Sequence, residues 1–144
     1  MLAQARVRLP QVHLIQADLL AAWPLAARPL FDSIVAAYVL HEFDLTDKIR
    51  LLQRAAHDFL APGGFLVVAD ITFPTTAVRA AAAERWATWW DEDEFYWAAD
   101  EANAACAEVG LPATYQQVSI CAGVFTVTVA NGRAGQPEQA VGLL

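Results

Sequence analysis

FDSIVAAYVLHEFDLTDKIRLLQRAAHDFLAPGGFLVVADITF, residues 31–73, is the stretch of the sequence that decides the fold. Two short apolar runs rich in branched side chains, residues 34–37 and 65–69, lie near its two ends. Runs of this length and composition are typical of parallel strands that are buried on both faces. The stretch therefore predicts two strands of one parallel sheet.

The segment between these strands has the spacing of an amphipathic helix. Its apolar side is formed by Ile49, Leu52, Ala56, Phe59 and Leu60. Asp44 or Thr46 is a suitable N-cap, and the Pro-Gly-Gly run at 62–64 ends the helix. A βαβ unit of this kind gathers the residues that follow its strands at one edge of the sheet, where open α/β sheets bind ligands. The polar residues at this edge are Tyr38, His41, Glu42 and Asp70.

The amino-acid sequence of these segments resembles that of the class I S-adenosylmethionine-dependent methyltransferases. Residues 31–43 resemble the family's fourth strand and the motif after it, and residues 60–71 resemble its LxPGGxLxxxD turn and fifth strand. A subgroup of small-molecule methyltransferases is resembled more narrowly by four short segments in this order: FYW (95–97), DE (100–101), VG (109–110) and SICAGV (119–124). The likeness covers residues 1–130. It implies a Rossmann-like α/β fold, the cofactor S-adenosylmethionine and methyl transfer to a small-molecule acceptor.

One part of the family's pattern is missing. The family holds the methionine and ribose parts of its cofactor with a glycine-rich loop after its first strand and an acidic residue after its second. The sequence has seven glycines, and none precedes Gly63. Residues 1–9 resemble the helix after the family's second strand, so Met1 looks like an internal methionine. We therefore expect a truncated methyltransferase domain, residues 1–130, without its first two strands.

Loss of two strands has a consequence for the sheet. In the family the strand order is third, second, first, fourth, fifth, seventh, sixth, mostly parallel with a C-terminal antiparallel hairpin. Residues 12–17 are interpreted as the third strand, which loses its neighbour, and residues 34–37 become an exposed edge. Because unpaired edges recruit other chains, we expect self-association through this edge.

The remaining elements are predicted from local patterns. Helices are predicted over 3–9, 21–27 (short, or a turn), 76–90 and 99–109. Residues 115–120 and 124–129 predict an antiparallel hairpin. The acidic run at 91–94 predicts an exposed loop, since four adjacent carboxylates cannot all be buried. Residues 131–144 are expected to form a disordered tail.

Composition limits the class of protein. The chain has 144 residues, 57% of them hydrophobic, and a formal net charge of −7. One core is expected at this length, and an acidic chain without a basic run is a poor partner for nucleic acid. No membrane span or signal-peptide pattern is present, and Cys106 and Cys121 are interpreted as reduced core thiols. We therefore expect a cytoplasmic domain that binds neither nucleic acid, nor membranes, nor metal.

Four residues are candidates for cofactor binding. Asp18 follows predicted strand 12–17, where the family presents an acid to the adenine amino group. A carboxylate suits this role because it only accepts hydrogen bonds. The resemblance implies further contacts from the Leu19 backbone and from Ala37 and Tyr38, after the fourth strand. Alternatively, Asp18 caps the segment that follows it.

His41 is the candidate catalytic residue, and Glu42 lies beside it. Imidazole accepts protons near neutral pH, so His41 could act as general base toward an oxygen or nitrogen nucleophile. Methyl transfer often needs little such help, because the sulfonium is a good leaving group and positioning supplies most of the acceleration. His41 could instead pack within its loop.

Aromatic residues concentrate in one short region. Five tryptophans occur in the chain, and all but Trp23 lie within residues 86–97. Trp86, Trp89 and Trp90 share one face of the predicted helix. This face could cap an active site, attract a cation or form an ordinary packing surface.

Two other functions remain open on the sequence alone. A nicotinamide-dependent oxidoreductase would use the same layered architecture, although the chain has no Tyr-x-x-x-Lys pair and Lys48 is its only lysine. A non-catalytic interaction domain that has lost its cofactor half is the other alternative.

Overall fold

A computed structural model describes residues 2–25 and 31–129. The helices are α1 (Leu2–Arg8), α2 (Leu45–Arg54), α3 (Thr76–Arg85) and α4 (Ala99–Glu108). The strands are β1 (Phe31–Ala37), β2 (Leu60–Phe73), β3 (Trp97–Ala98), β4 (Ala113–Ser119) and β5 (Ala122–Thr128). A 3₁₀ turn at Leu40–Glu42 precedes α2, and a π-helical turn at Ala55–Phe59 follows it. The predicted tail at 131–144 and the end of the predicted segment 21–27 lie outside the described residues.

The strands form one five-stranded sheet with the order β1-β2-β5-β4, in which β3 pairs with the end of β2. β1 and β3 are parallel to β2, whereas β5 is antiparallel to both of its neighbours. This order confirms the predicted series fourth, fifth, seventh, sixth and the C-terminal hairpin. Parallel pairings do not outnumber antiparallel ones, because residues 12–17 add no strand to the parallel side.

The predicted βαβ unit is confirmed in β1, α2 and β2. The Asp44 side chain caps α2 by accepting from the Asp47 N–H at 2.8 Å. The predicted apolar side of the helix is buried except for Phe59, which is half-buried. It continues past α2, through the π-helical turn, to Leu60 at the start of β2. The Pro-Gly-Gly run belongs to a bulge: Phe31 pairs with Leu60, but Ser33 pairs with Phe65. Residues 61–64 therefore lie outside the regular ladder between β1 and β2.

The core lies on one face of the sheet, under α2 and α4. Alternate residues of β2 and β5 face it, as the two-residue period of a strand requires. These strand residues are Leu66, Val68, Phe125 and Val127, and they pack in one cluster with Leu51 and Leu52 of α2 and Ala102 and Cys106 of α4. This packing fixes the end of β2, from which the candidate site is built.

The prediction of a strand at 12–17 is wrong, since these residues have no regular secondary structure and are mostly exposed. A strand needs neighbouring backbone to satisfy its N–H and C=O groups, and no such neighbour is described beside this segment. β1 is likewise not buried on both faces: Val35 is 66% exposed. In β2 burial alternates, because only one face of the sheet is covered by the core.

The predicted helix over 76–90 is too long. α3 ends at Arg85, and residues 86–89 form a turn. The turn separates the three tryptophans of the predicted face: Trp86 and Trp90 both contact Phe73, whereas Trp89 is 86% exposed. None of the helices within residues 2–25 and 31–129 is long and apolar enough to cross a membrane.

Candidate functional site

The site forms where the chain leaves β1 and folds back over β2. Tyr38 extends the ladder, donating its N–H to the Ala69 carbonyl at 2.9 Å. Its φ of 50° lies in the left-handed region, which is uncommon for a residue other than glycine. This conformation redirects the chain, so that the 3₁₀ turn Leu40–Glu42 comes to lie against Asp70 of β2.

Asp70 is 1% exposed, and its carboxylate is surrounded by hydrogen-bond donors. Oδ2 accepts from the backbone N–H groups of Leu40 at 2.9 Å and His41 at 3.0 Å. It also accepts from the Trp97 indole at 3.3 Å, while Oδ1 accepts from the Ile71 N–H at 2.8 Å. These contacts satisfy a buried carboxylate, which would otherwise be costly, and they fix its orientation toward the His41 ring.

The His41 ring is held by this carboxylate, with Nδ1 2.6 Å from Oδ1 of Asp70. An ionised carboxylate can only accept, so Nδ1 carries the proton of this hydrogen bond. In the neutral ring the lone pair is then on Nε2. Nε2 lies 3.8 Å from carboxylate oxygens of both Glu42 and Glu94. The arrangement is that of an oriented general base.

Glu94 lies close to His41 because both backbone polar groups of the next residue, Phe95, are hydrogen-bonded. The Phe95 N–H donates to the His41 carbonyl at 2.7 Å, and the Lys48 ammonium donates to the Phe95 carbonyl. The prediction of a loop at 91–94 is correct, but the prediction that all four of its acidic side chains are exposed is wrong for Glu94. The Glu94 side chain is only 25% exposed, and no spacing in the sequence indicates its contact with His41.

Lys48 is the buried cation of the site, at 2% exposure. Its Nζ lies 4.4 Å from the centroid of the Trp97 ring. Burial lowers the pKa of Lys48 to about 8, and the negative charge of Asp70 opposes this shift. The sequence pattern gave Lys48 no role beyond its being the only lysine, so its contribution to anchoring the loop was not predicted.

A cavity of about 270 Å³ opens beside Glu94. Its walls combine aromatic and charged side chains, including Lys48, Arg79, Trp90, Glu94, Trp97 and Glu101. Arg79 is paired with Glu101 at 2.9 Å and donates to the Tyr96 carbonyl at 2.8 Å. A cavity with apolar walls and a few convergent polar groups is typical of small-molecule sites.

The predicted cofactor residues are only partly brought together. Leu19 and Ala37 line one cavity of about 270 Å³ beside β1, whose other lining residues are apolar. The Tyr38 side chain is exposed. The Asp18 carboxylate accepts from the Leu20 N–H at 2.9 Å, a local contact that favours the capping alternative, although residues 19–25, which the structure describes, form no helix. Adenine binding by Asp18 stays a prediction.

No family model and no curated protein matches the sequence. An O-methyltransferase family protein from Burkholderia thailandensis has a similar structure, with a TM-score of 0.68 at 16% identity over 90% of this chain. DhpI, solved with SAM and HEP, has a TM-score of 0.64 at 20% identity over 88% of this chain. An O-methyltransferase from neocarzinostatin biosynthesis, solved with S-adenosylmethionine and 2-hydroxy-5-methyl naphthoic acid, has a TM-score of 0.58 at 16% identity over 89%.

The chain has the fold of the class I S-adenosylmethionine-dependent methyltransferases. The resemblance found in the sequence is thereby confirmed for the fold. The chain spans only part of these three proteins: 39% of the Burkholderia protein, 38% of the neocarzinostatin enzyme and 62% of DhpI.

Proposed function

We propose that this chain forms the acceptor side of an S-adenosylmethionine-dependent O-methyltransferase, in which His41 accepts the proton of a small-molecule hydroxyl group. The observation that carries the proposal is the hydrogen bond of 2.6 Å between His41 Nδ1 and the buried carboxylate of Asp70. It leaves Nε2 as the proton acceptor at the carboxyl end of the parallel strands, where ligands bind in open α/β sheets.

The acid–base step follows from this geometry. When bound, S-adenosylmethionine would supply the methyl group, whose bond to sulfur would break as its bond to the acceptor oxygen forms. The O–H proton of the acceptor would pass to Nε2 of His41. The positive charge that develops on the ring is stabilised by Asp70 at Nδ1 and by Glu42 and Glu94 beside Nε2. Charges placed in advance where new charge develops are an effective source of transition-state stabilisation.

The acceptor is proposed to bind in the cavity beside Glu94. Trp90 and Trp97 supply aromatic walls, and charged groups of both signs line the same cavity, namely Lys48, Arg79, Glu94 and Glu101. This combination suits a small hydroxylated compound with an aromatic ring, because the ring can be desolvated while polar groups orient its substituents.

The described residues do not form a complete site for the cofactor. The cavity that contains Leu19 and Ala37 has apolar walls, whereas the ribose hydroxyls and the charged methionine end of S-adenosylmethionine need polar partners. Asp18, the predicted adenine ligand, is exposed and bonded to Leu20. We therefore assign to this chain the acceptor side of the reaction alone.

The test of the proposed function uses a protein in which a glycine-rich cofactor segment precedes residue 1. This protein is incubated with S-adenosylmethionine and a panel of small phenols and hydroxy acids, and products are identified by mass spectrometry. We expect O-methylated products from at least one phenol. Cofactor binding without methylation of any hydroxyl compound would contradict the proposal.

We further propose that the chain self-associates through β1. The strand is at the edge of the described sheet, and its Phe31 and Val35 side chains are 38% and 66% exposed. The apolar cavity formed with Leu19 lies next to it. A second copy of β1 would satisfy the free backbone groups and cover these side chains, which favours edge pairing.

A further inference from the structure

We propose that His41, Glu42 and Glu94 bind a divalent first-row transition-metal ion. One ligand atom from each side chain lies within 4.8 Å of the other two. The sequence predicted no metal site, because Glu42 and Glu94 are far apart in the chain and meet only through the docking of the 91–96 loop.

The orientation of His41 is the observation that separates this cluster from a set of surface acids. The ring is 10% exposed, and within the described part of the chain its Nε2 has no hydrogen-bond partner. Nε2 faces both carboxylates at 3.8 Å, while Nδ1 is bonded to Asp70. A carboxylate that holds the far nitrogen of a histidine is the common outer partner of metal-bound imidazole.

The three ligands are also held by rigid backbone. His41 and Glu42 belong to one 3₁₀ turn, whose N–H groups are bonded to Asp70. Glu94 is positioned by the hydrogen bond from Phe95 to the His41 carbonyl. Ligand atoms around a transition metal lie about 3.0–3.5 Å apart, and these atoms lie within 4.8 Å of one another, so rotation of the two glutamate side chains would have to close the remaining distance.

The donor set selects the class of ion. One imidazole and two carboxylates suit Mn²⁺, Co²⁺ or Zn²⁺, whereas Mg²⁺ and Ca²⁺ favour oxygen ligands alone. Metal binding here does not depend on the proposed methyl transfer. The two roles compete for one lone pair on His41, so an ion at Nε2 is expected to inhibit proton removal by that residue.

The test is a titration of the 144-residue chain in which Cys121→Ser removes a half-buried thiol that could bind zinc. Zn²⁺ binding is followed by calorimetry, and Co²⁺ binding by its visible absorption. We expect saturable binding of a single ion per chain. Glu42→Gln and Glu94→Gln should each weaken it by at least about tenfold, and Asp70→Asn by about 10–100-fold.

Glu92→Gln is the matched control, since Glu92 is an exposed acid of the same loop. It should bind both ions like the unsubstituted background. Absence of saturable binding would overturn the proposal. So would an unchanged affinity in both the Glu42→Gln and the Glu94→Gln variant relative to the Cys121→Ser background, which would place the ion on other side chains such as His13 or His57.

Discussion

The backbone N–H of Phe95 donates to the carbonyl oxygen of His41 at 2.7 Å, and this bond joins the acidic loop to the turn that carries the candidate base. Lys48 completes the connection from α2, because its ammonium donates to the Phe95 carbonyl. The loop is therefore a structural part of the site.

The first prediction concerns Lys48 and pH. Its pKa is lowered to about 8 in the folded chain from an ordinary value of 10.5. Between these values the unfolded chain binds a proton that the folded chain has lost, so the contribution of Lys48 to stability rises with pH. We expect the free energy of unfolding, relative to that of Lys48→Met, to increase by about 1–2 kcal/mol across this window.

Urea unfolding of both proteins below pH 8 and near pH 10.5 measures this difference. The Lys48→Met variant is the control for all other titrating groups, including Tyr96, whose pKa is raised to about 12 by burial and by its hydrogen bond with Glu94. Parallel pH profiles for the two proteins would show that the Lys48 ammonium is not destabilised by burial.

A second prediction concerns the carboxylate of Asp70. Asp70→Asn replaces one acceptor oxygen by a donor that faces buried N–H groups, so several donors lose their partner. We expect the free energy of unfolding to fall by about 2–4 kcal/mol. Asp58→Asn is the control, since Asp58 is exposed and should change stability by less than about 0.5 kcal/mol. Equal stability of the two variants would mean that the Asp70 network contributes little.

The third prediction tests self-association through β1. Val35→Lys places a charge on the exposed face of the edge strand and should shift the chain toward the monomer in sedimentation velocity experiments. Val118→Lys is the matched control, because Val118 is 64% exposed on β4, at the other edge of the sheet. A concentration-independent monomer in the unsubstituted chain would refute the proposal, as would dissociation by Val118→Lys alone.

The parts of the fold that were predictable have strong local patterns. The βαβ unit was correctly predicted because strand length, helix spacing and the Asp44 cap all indicate the same element order. The hairpin of β4 and β5 was correct for the same reason. Residues 12–17 are also mostly apolar but form no strand, because a strand also depends on a neighbour that the local sequence does not contain.

Only the approach of His41 to Asp70 could be predicted from the sequence. His41 and Asp70 both follow the predicted parallel strands, 34–37 and 65–69, so their approach at one sheet edge follows from the topology. The contacts of Lys48 and Glu94 depend on how the 91–96 loop folds over the turn. Such contacts arise from tertiary packing, and an acidic run such as DEDE has the composition of an ordinary exposed loop.

A fourth prediction concerns the cofactor. The 144-residue chain has an apolar cavity at the predicted cofactor residues and no glycine before Gly63. We expect calorimetric titration with S-adenosylmethionine to show no binding in the micromolar range. Micromolar affinity for the isolated chain would contradict the assignment of this chain to the acceptor side alone.

The most direct test of the role of His41 is the rate of methyl transfer in the protein that includes a glycine-rich cofactor segment. The measurement is kcat, with a phenol that the unsubstituted protein methylates, for His41→Gln and for the control His57→Gln, which changes an exposed histidine. We expect His41→Gln to lower kcat by about 10²–10⁴-fold, as loss of a general base does, with the KM for S-adenosylmethionine unchanged. His57→Gln should retain the unsubstituted kcat. A His41→Gln variant with that same kcat would contradict the account, because proton removal by the Asp70-oriented imidazole would then play no part in the reaction.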